Sequence, residues 1–152
     1  MYIQTLAAII NLGFSAFYHN HNCVSQDSMH FLRKFDLAGI CIMICGSATP
    51  PFYYGFMCTD LIFWRNSYLA QIYITSLTAL YIAMKPSQKD FGNTWVLAAA
   101  FIVAGLSTGL GMLHCLFVDE TLLRSMPIFY FAGGGASYIA GAILYAKKWP
   151  ES

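Results

Sequence analysis

The sequence predicts an all-α fold, a multi-pass bundle of five transmembrane helices. Of the 152 residues, 58% are apolar and only 10% are charged, whereas an ordinary soluble domain has about 25% charged residues. The apolar residues form five runs separated by short polar segments. Each run approaches or exceeds the roughly 20 residues that a helix needs to cross a hydrocarbon core about 30 Å thick. We therefore expect an integral membrane protein in which residues 1–152 form a single transmembrane domain.

The apolar runs set the expected bounds of the helices. The predicted ranges are 1–19, 37–57, 68–84, 95–118 and 126–146. The first run has no basic leader and no small-residue cleavage site, so we interpret it as a mature transmembrane helix and not as a signal peptide. The polar segment 20–35 is expected to be an aqueous loop. In the second helix, Pro50 and Pro51 are expected to break or kink the chain, because proline has no amide hydrogen and its ring clashes with the preceding turn.

Small residues on the last two helices indicate close helix contacts. The fourth run contains Gly105-x-x-x-Gly109 and Gly111, and the fifth contains Gly133-Gly134-Gly135 and Gly141. Small residues allow the backbones of two membrane helices to approach closely. The glycines do not have the spacing of a dinucleotide-binding or phosphate-binding loop. We therefore expect them to serve packing.

Net charge argues against a nucleic-acid-binding protein, and cysteine spacing argues against a metal knuckle or a disulfide scaffold. The net charge is +1, and no basic run with interleaved aromatic residues is present, so nucleic acid is not expected as a partner. The cysteines have neither the paired spacing of a metal knuckle nor the density of a disulfide scaffold. Most are expected to pack as small apolar residues. They are Cys23, Cys41, Cys45, Cys58 and Cys115.

Basic residues predict the orientation of the bundle. Cytoplasmic segments of membrane proteins are enriched in lysine and arginine. Six basic residues fall on one side of the predicted bundle and two on the other. The larger group is predicted to face the cytosol. It contains Arg33, Lys34, Lys85, Lys89, Lys147 and Lys148, and the smaller group contains Arg65 and Arg124.

This orientation can be tested with single cysteine reporters. A reporter at Gln88 should be labelled from the cytosolic side, and one at Thr121 from the opposite side, because the loops carrying them are separated by one predicted helix. The measurement is labelling by a membrane-impermeant maleimide in sealed, oriented vesicles. Labelling of both positions from the same side would contradict the helix assignment.

Three polar residues are expected to converge at the cytosolic edge. Ser15 and His19 are four residues apart and therefore share one helix face, one turn apart. Asp36 opens the second apolar run, on the same side of the membrane. Because ionisable groups at such positions are costly to bury, they are by default candidates for function. An interhelical hydrogen bond that only stabilises packing is the structural alternative.

An imidazole and a carboxylate at one edge favour a zinc site, because histidine nitrogen suits zinc and a carboxylate suits a metal-bound water. Catalytic zinc needs three protein ligands. His21 should point to another helix face and His30 should lie in the loop, so a local site built from His19, His21 and His30 is not expected. His114 belongs near the opposite membrane face, where we expect it to cap a helix or to pair near Asp119.

Several motifs resemble those of the progestin and adipoQ receptor family, in particular the adiponectin receptors. The similarity covers nearly the whole chain, and the pattern of Ser-x-x-x-His followed by Asp is also shared with the alkaline ceramidases and the haemolysin III proteins. The segments that resemble the family's second, third and sixth transmembrane helices are Phe14-Ser15-Ala16-Phe17-Tyr18-His19, Phe35-Asp36-x-x-Gly39-Ile40, Gly46-Ser47-x-x-Pro50-x-x-Tyr53-Tyr54 and Tyr145-Ala146-x-x-Trp149-Pro150-Glu151.

The resemblance implies a role for each residue of the site. His19 matches a zinc ligand, Asp36 matches the carboxylate that holds the zinc-bound water, and Ser15 matches a serine that supports the site. The family's other two ligands come from a His-x-x-x-His on its seventh helix. The present sequence matches helices two to six, so the resemblance implies five helices of a seven-helix fold, truncated at both ends and inactive alone.

The resemblance also implies a function for the complete form. It is an adiponectin receptor-like membrane protein with a cytosol-facing zinc site for hydrolysis of a ceramide-like lipid amide, coupled to receptor signalling. Membrane lipids and an extracellular ligand are the implied partners. Two alternatives stay open: a non-enzymatic receptor in which zinc is structural, and a structural or transport subunit in which the polar groups only pack.

Overall fold

The computed structural model describes residues 2–21, 26–56, 62–84, 94–118 and 128–147. Apart from Phe56, which lies in a turn, all of these residues belong to five α-helices. The all-α fold class is therefore confirmed. The helices are α1 (Tyr2–His21), α2 (Gln26–Gly55), α3 (Ile62–Met84), α4 (Thr94–Val118) and α5 (Ile128–Lys147).

The three central helices have the length and composition of membrane spans. The qualifying segments are Ser28–Gly55, Ile62–Met84 and Trp95–His114. The apolar part of α5 is shorter and runs from Ala132 to Leu144. The prediction of a multi-pass membrane protein is confirmed by these spans. That α1 and α5 also cross the membrane stays a prediction.

Helix α2 begins earlier than the hydropathy of the sequence indicates. It starts at Gln26, and α1 continues to His21. The prediction of a loop over 20–35 is therefore wrong for Asn20, His21 and the residues from Gln26 onward. The apolar residues of this segment continue the helical spacing: the rings of Phe31 and Phe35 are 5.0 Å apart, and Leu32 is buried. The polar residues of this segment, among them His30, Arg33 and Lys34, are half-buried, whereas Phe31 and Phe35 are exposed.

Helix α2 also continues through Pro50 and Pro51 to Gly55, so of the predicted break or kink the break is wrong and the kink stays a prediction. Each proline lacks the amide that would bond to the carbonyl four residues earlier. Tertiary contacts hold the segment in place. The Thr49 hydroxyl donates to the Cys45 carbonyl at 2.6 Å and lies 2.7 Å from the Tyr73 hydroxyl of α3.

The core lies between α2, α3 and α4. Phe52, which follows the two prolines, has no exposed surface, and its ring stacks on that of Phe56 at a centroid distance of 6.1 Å. Cys41 is a buried free thiol, as expected for an apolar packing residue. The principal buried members of the core are Leu37, Cys41, Ile44, Ala48, Phe52, Phe56, Ile72, Ala79, Ala83, Leu97, Phe101, Ala104 and Met112.

The glycines of α4 and α5 differ from one another in their contacts. A Cβ atom at Gly111 would lie 2.3 Å from Phe52 Cε1, and one at Gly105 would lie 3.0 Å from Tyr138 Cε1. The predicted close contacts of these two residues are confirmed. Within the described part of the chain, Gly109, Gly133–Gly135 and Gly141 have no such neighbour within 4 Å. For these glycines the expectation of a close contact stays a prediction.

One buried hydroxyl in the core is unpaired. Ser76 on α3 is 1% exposed, and its Oγ has no hydrogen-bond partner among the described residues. Its neighbour Thr75 instead lies 3.1 Å from Ser107 Oγ of α4. Because an unsatisfied buried polar group costs about 1–3 kcal/mol, Ser76→Ala should raise the free energy of unfolding by about 1 kcal/mol.

Reversible unfolding in mixed micelles measures this effect, and Ser107→Ala is the matched control. The control removes an interhelical hydrogen bond, so it should lower the free energy of unfolding by about 0.6 kcal/mol. An equal loss for both variants would show that Ser76 has a partner in the folded protein.

Candidate functional site

The site residues predicted from the sequence lie on α1 and α2, which pack tightly against one another. A Cβ atom at Gly46 would lie 2.3 Å from Ala7 Cβ, and one at Gly39 would lie 2.7 Å from Asn11 Oδ1 and 3.1 Å from Asn11 Cα. No side chain fits at either glycine without movement of α1. The two glycines therefore set the distance between the helices.

The register of α1 and α2 brings Ser15 and Asp36 to one level. Ala7 contacts Gly46 and Asn11 contacts Gly39, so the helices are antiparallel. One turn further on, the rings of Phe14 and Phe35 meet edge to face at 5.4 Å. Because these phenylalanines directly precede Ser15 and Asp36, those two residues lie at the same end of the helix pair, as the sequence predicts.

His19 lies one helical turn beyond Ser15, toward the end of α1. Its side chain is exposed, whereas Ser15 and Asp36 are half-buried. Hydrogen bonds between described helices include Thr49–Tyr73, Tyr68–His114, Thr75–Ser107 and Tyr138–Phe101. The alternative in which Ser15 and His19 only stabilise packing stays open.

The other histidines at this end do not complete a zinc site. His21 donates its Nδ1–H to the Phe17 carbonyl at 3.1 Å, and its ring lies 4.4 Å from that of Phe17. His30 lies within α2 and is half-buried, so its predicted place in a flexible loop is wrong. The described residues contain no group of three His, Cys, Asp or Glu side chains that could hold a metal ion.

The residues present therefore do not fit a complete catalytic zinc site. Such a site takes three direct protein ligands, and at this edge the described residues offer His19 with Asp36 nearby. The ligand set implied by the family resemblance needs two further histidines. His114 is at the opposite end of the bundle, and a His-x-x-x-His spacing does not occur in the sequence.

His114 contacts two aromatic side chains of α3, an arrangement that was not expected from the sequence. Its Nδ1 forms a hydrogen bond with the Tyr68 hydroxyl of α3, and its ring lies 4.6 Å from that of Trp64, edge to face. Asp119, near which His114 was expected to pair, lies outside the described residues. The four-residue spacing of Trp64 and Tyr68 was the available signal, since it puts both rings on the α3 face that meets His114.

Asn11 is the second residue that the sequence analysis did not include in the site. It precedes Ser15 by four residues and so shares the face of Ser15 and His19. Its side chain packs directly on Gly39, one turn deeper than Asp36. Asn11, Ser15 and His19 thus form a polar stripe along α1, with Asn11 at the α2 interface and His19 exposed at the end of the helix.

Comparison with known proteins gives the family. The model of a family described as haemolysin-III related matches residues 1–152. The chain is 30% identical over 151 residues to heptahelical transmembrane protein ADIPOR1 of Oryza sativa subsp. japonica, with 99% of this chain and 40% of that protein covered. It is 28% identical over 148 residues to an adiponectin receptor protein of Drosophila melanogaster, with 96% of this chain and 33% of that protein covered.

A third relative is progestin and adipoQ receptor-like protein 1 of Caenorhabditis elegans. It is 27% identical over 146 residues, which cover 95% of this chain and 33% of that protein. The chain thus spans 33% to 40% of the length of these three relatives. The likeness to adiponectin receptors and to progestin and adipoQ receptors, which the motifs around Ser15 and Asp36 indicated, is confirmed. The chain belongs to the haemolysin-III related family and is a multi-pass membrane protein similar to the adiponectin receptors.

Proposed function

We propose that α1 and α2 supply one part of a cytosol-facing zinc site for hydrolysis of a lipid amide, in an adiponectin receptor-like membrane protein. The observation that carries this proposal is the placement of Ser15 and Asp36 at one level, with His19 exposed one turn beyond. In this proposal His19 provides one metal ligand and Asp36 the neighbouring carboxylate. Two further ligands must come from another helix, because three are needed.

The surroundings of the site favour a lipid as the substrate. The same helix α1 presents a continuous apolar surface on its outer side, where Ile9, Leu12 and Phe17 are each more than half exposed. In a bilayer this surface contacts acyl chains, since apolar side chains are stabilised away from water. A polar edge directly above a lipid-facing surface suits a substrate whose amide reaches the edge while its tails stay in hydrocarbon. A ceramide-like lipid has this form.

The test is release of fatty acid from a ceramide-like amide by the intact membrane protein in lipid nanodiscs, followed by mass spectrometry. His19→Ala and Asp36→Asn should each reduce the rate by at least about 10–100-fold. Lys34→Ala is the matched control, since this residue lies on α2 near Asp36 and has no proposed role. It should leave the rate unchanged.

The same experiment separates the enzyme from a non-enzymatic receptor. A protein that retains zinc through His19 but releases no fatty acid from any lipid amide would overturn the hydrolase proposal. It would favour a receptor with structural zinc and an extracellular ligand. In that alternative the extracellular ligand is sensed by the loops around Asp60 and Asp119, and both residues lie outside the described part of the chain.

A further inference from the structure

A second candidate binding site lies away from α1, where α4 begins and α5 ends. It is an open cleft of about 700 Å³ on the surface of the two helices. Among the described residues, four line it, and they combine an aromatic ring, two aliphatic side chains and a cation. They are Trp95, Leu144, Ala146 and Lys147.

The register of α4 and α5 explains why these residues meet. The Tyr138 hydroxyl donates to the Phe101 carbonyl at 3.4 Å, and the Tyr138 ring lies against Gly105. Since the two helices are antiparallel, the first turn of α4 lies beside the last turn of α5. Trp95 and Lys147 therefore sit at the same end of the bundle, which is the end predicted to face the cytosol.

The cleft combines apolar and cationic side chains. Ala146 is 7% exposed, whereas Leu144 is 43% exposed. Trp95 is 59% exposed, and an indole ring at a membrane boundary favours the headgroup level. Lys147 is exposed in the last turn of α5.

We propose that this cleft binds an anionic phospholipid of the cytosolic leaflet. The acidic headgroup pairs with Lys147, the ester region lies at the Trp95 ring, and one acyl chain follows Leu144. Charge complementarity selects this occupant, because a lysine close to the membrane surface attracts acidic headgroups, and the cytosolic leaflet carries the anionic lipids. The proposal does not depend on the zinc site, which lies on α1 and α2.

Fluorescence of Trp95 provides the test. The 152-residue chain, with Trp64 and Trp149 replaced by phenylalanine, is placed in phosphatidylcholine nanodiscs and titrated with phosphatidylglycerol that carries brominated acyl chains. Quenching of Trp95 should saturate at low phosphatidylglycerol content and exceed the quenching by brominated phosphatidylcholine. Lys147→Ala should weaken the apparent affinity about fivefold, the effect expected of one lysine near an anionic headgroup.

Three comparisons keep this test decisive. Lys147→Arg keeps the charge and should keep the affinity. Lys34→Ala removes a cation of the same edge that does not line the cleft, and it should leave quenching unchanged. Equal losses for Lys34→Ala and Lys147→Ala would show only general attraction to an anionic surface. Equal quenching by the two brominated lipids would also overturn the proposal. Circular dichroism in pure phosphatidylcholine confirms that each variant is folded.

Discussion

Replacing Gly46 with alanine should lower the free energy of unfolding by about 1–3 kcal/mol, the cost of overfilling a packed interface. The added Cβ atom would lie 2.3 Å from Ala7 Cβ, whereas carbon atoms in contact need about 3.5–4.0 Å. Neither methyl group can rotate away, because a Cβ position is fixed by the backbone. Helix α1 must therefore move away from α2 by about 1 Å or more. Far-UV circular dichroism during denaturation in mixed micelles measures the loss.

Two further variants isolate this contact. Gly109→Ala on α4 is the matched control, because no atom lies within 4 Å of its added Cβ in the described part of the chain. It should be neutral or stabilise by up to about 1 kcal/mol through helix propensity. Ala7→Gly in the Gly46→Ala background moves the methyl group to the other helix and should restore most of the loss. If Gly46→Ala costs no more than Gly109→Ala, α1 does not pack on α2 at this glycine.

The sequence predicted those features of the site that depend only on the spacing of residues along the chain. Four-residue spacing put Ser15 and His19 on one face of α1. The order of the apolar runs put Asp36 on the neighbouring helix at the same membrane edge. These two placements follow from helix geometry and from the alternation of the chain across the bilayer. Neither depends on how the helices pack against one another.

Features that depend on contacts between helices could not be predicted from the sequence in the same way. The start of α2 was missed because the helix continues through a segment whose polar residues, such as His30, Arg33 and Lys34, lower its hydropathy. Gly111 and Gly109 have similar sequence surroundings, but only Gly111 receives the ring of Phe52. The pairing of His114 with Tyr68 likewise required the register between α3 and α4. These outcomes are set by which faces meet, and a single sequence does not specify that.

The incomplete ligand set leads to the second large expected effect. The 152-residue chain alone should bind zinc weakly or not at all, because His19 and a carboxylate do not replace three direct ligands. Adding a helix that carries His-x-x-x-His should produce tight binding that depends on His19. Loss of a ligand or its support reduces metal affinity by at least about 10–100-fold, so His19→Ala should remove most of the bound metal.

Metal content of purified protein, measured together with thermal unfolding in the presence and absence of a chelator, tests the account most directly. The 152-residue chain should contain far less than one zinc per molecule and should be unaffected by the chelator. The extended chain should hold one zinc and gain about 2.7 kcal/mol at a free zinc concentration one hundred times Kd. His30→Ala should change neither result. Stoichiometric zinc in the 152-residue chain, lost on His19→Ala, would contradict the account and would mean that His21 or His30 completes the site.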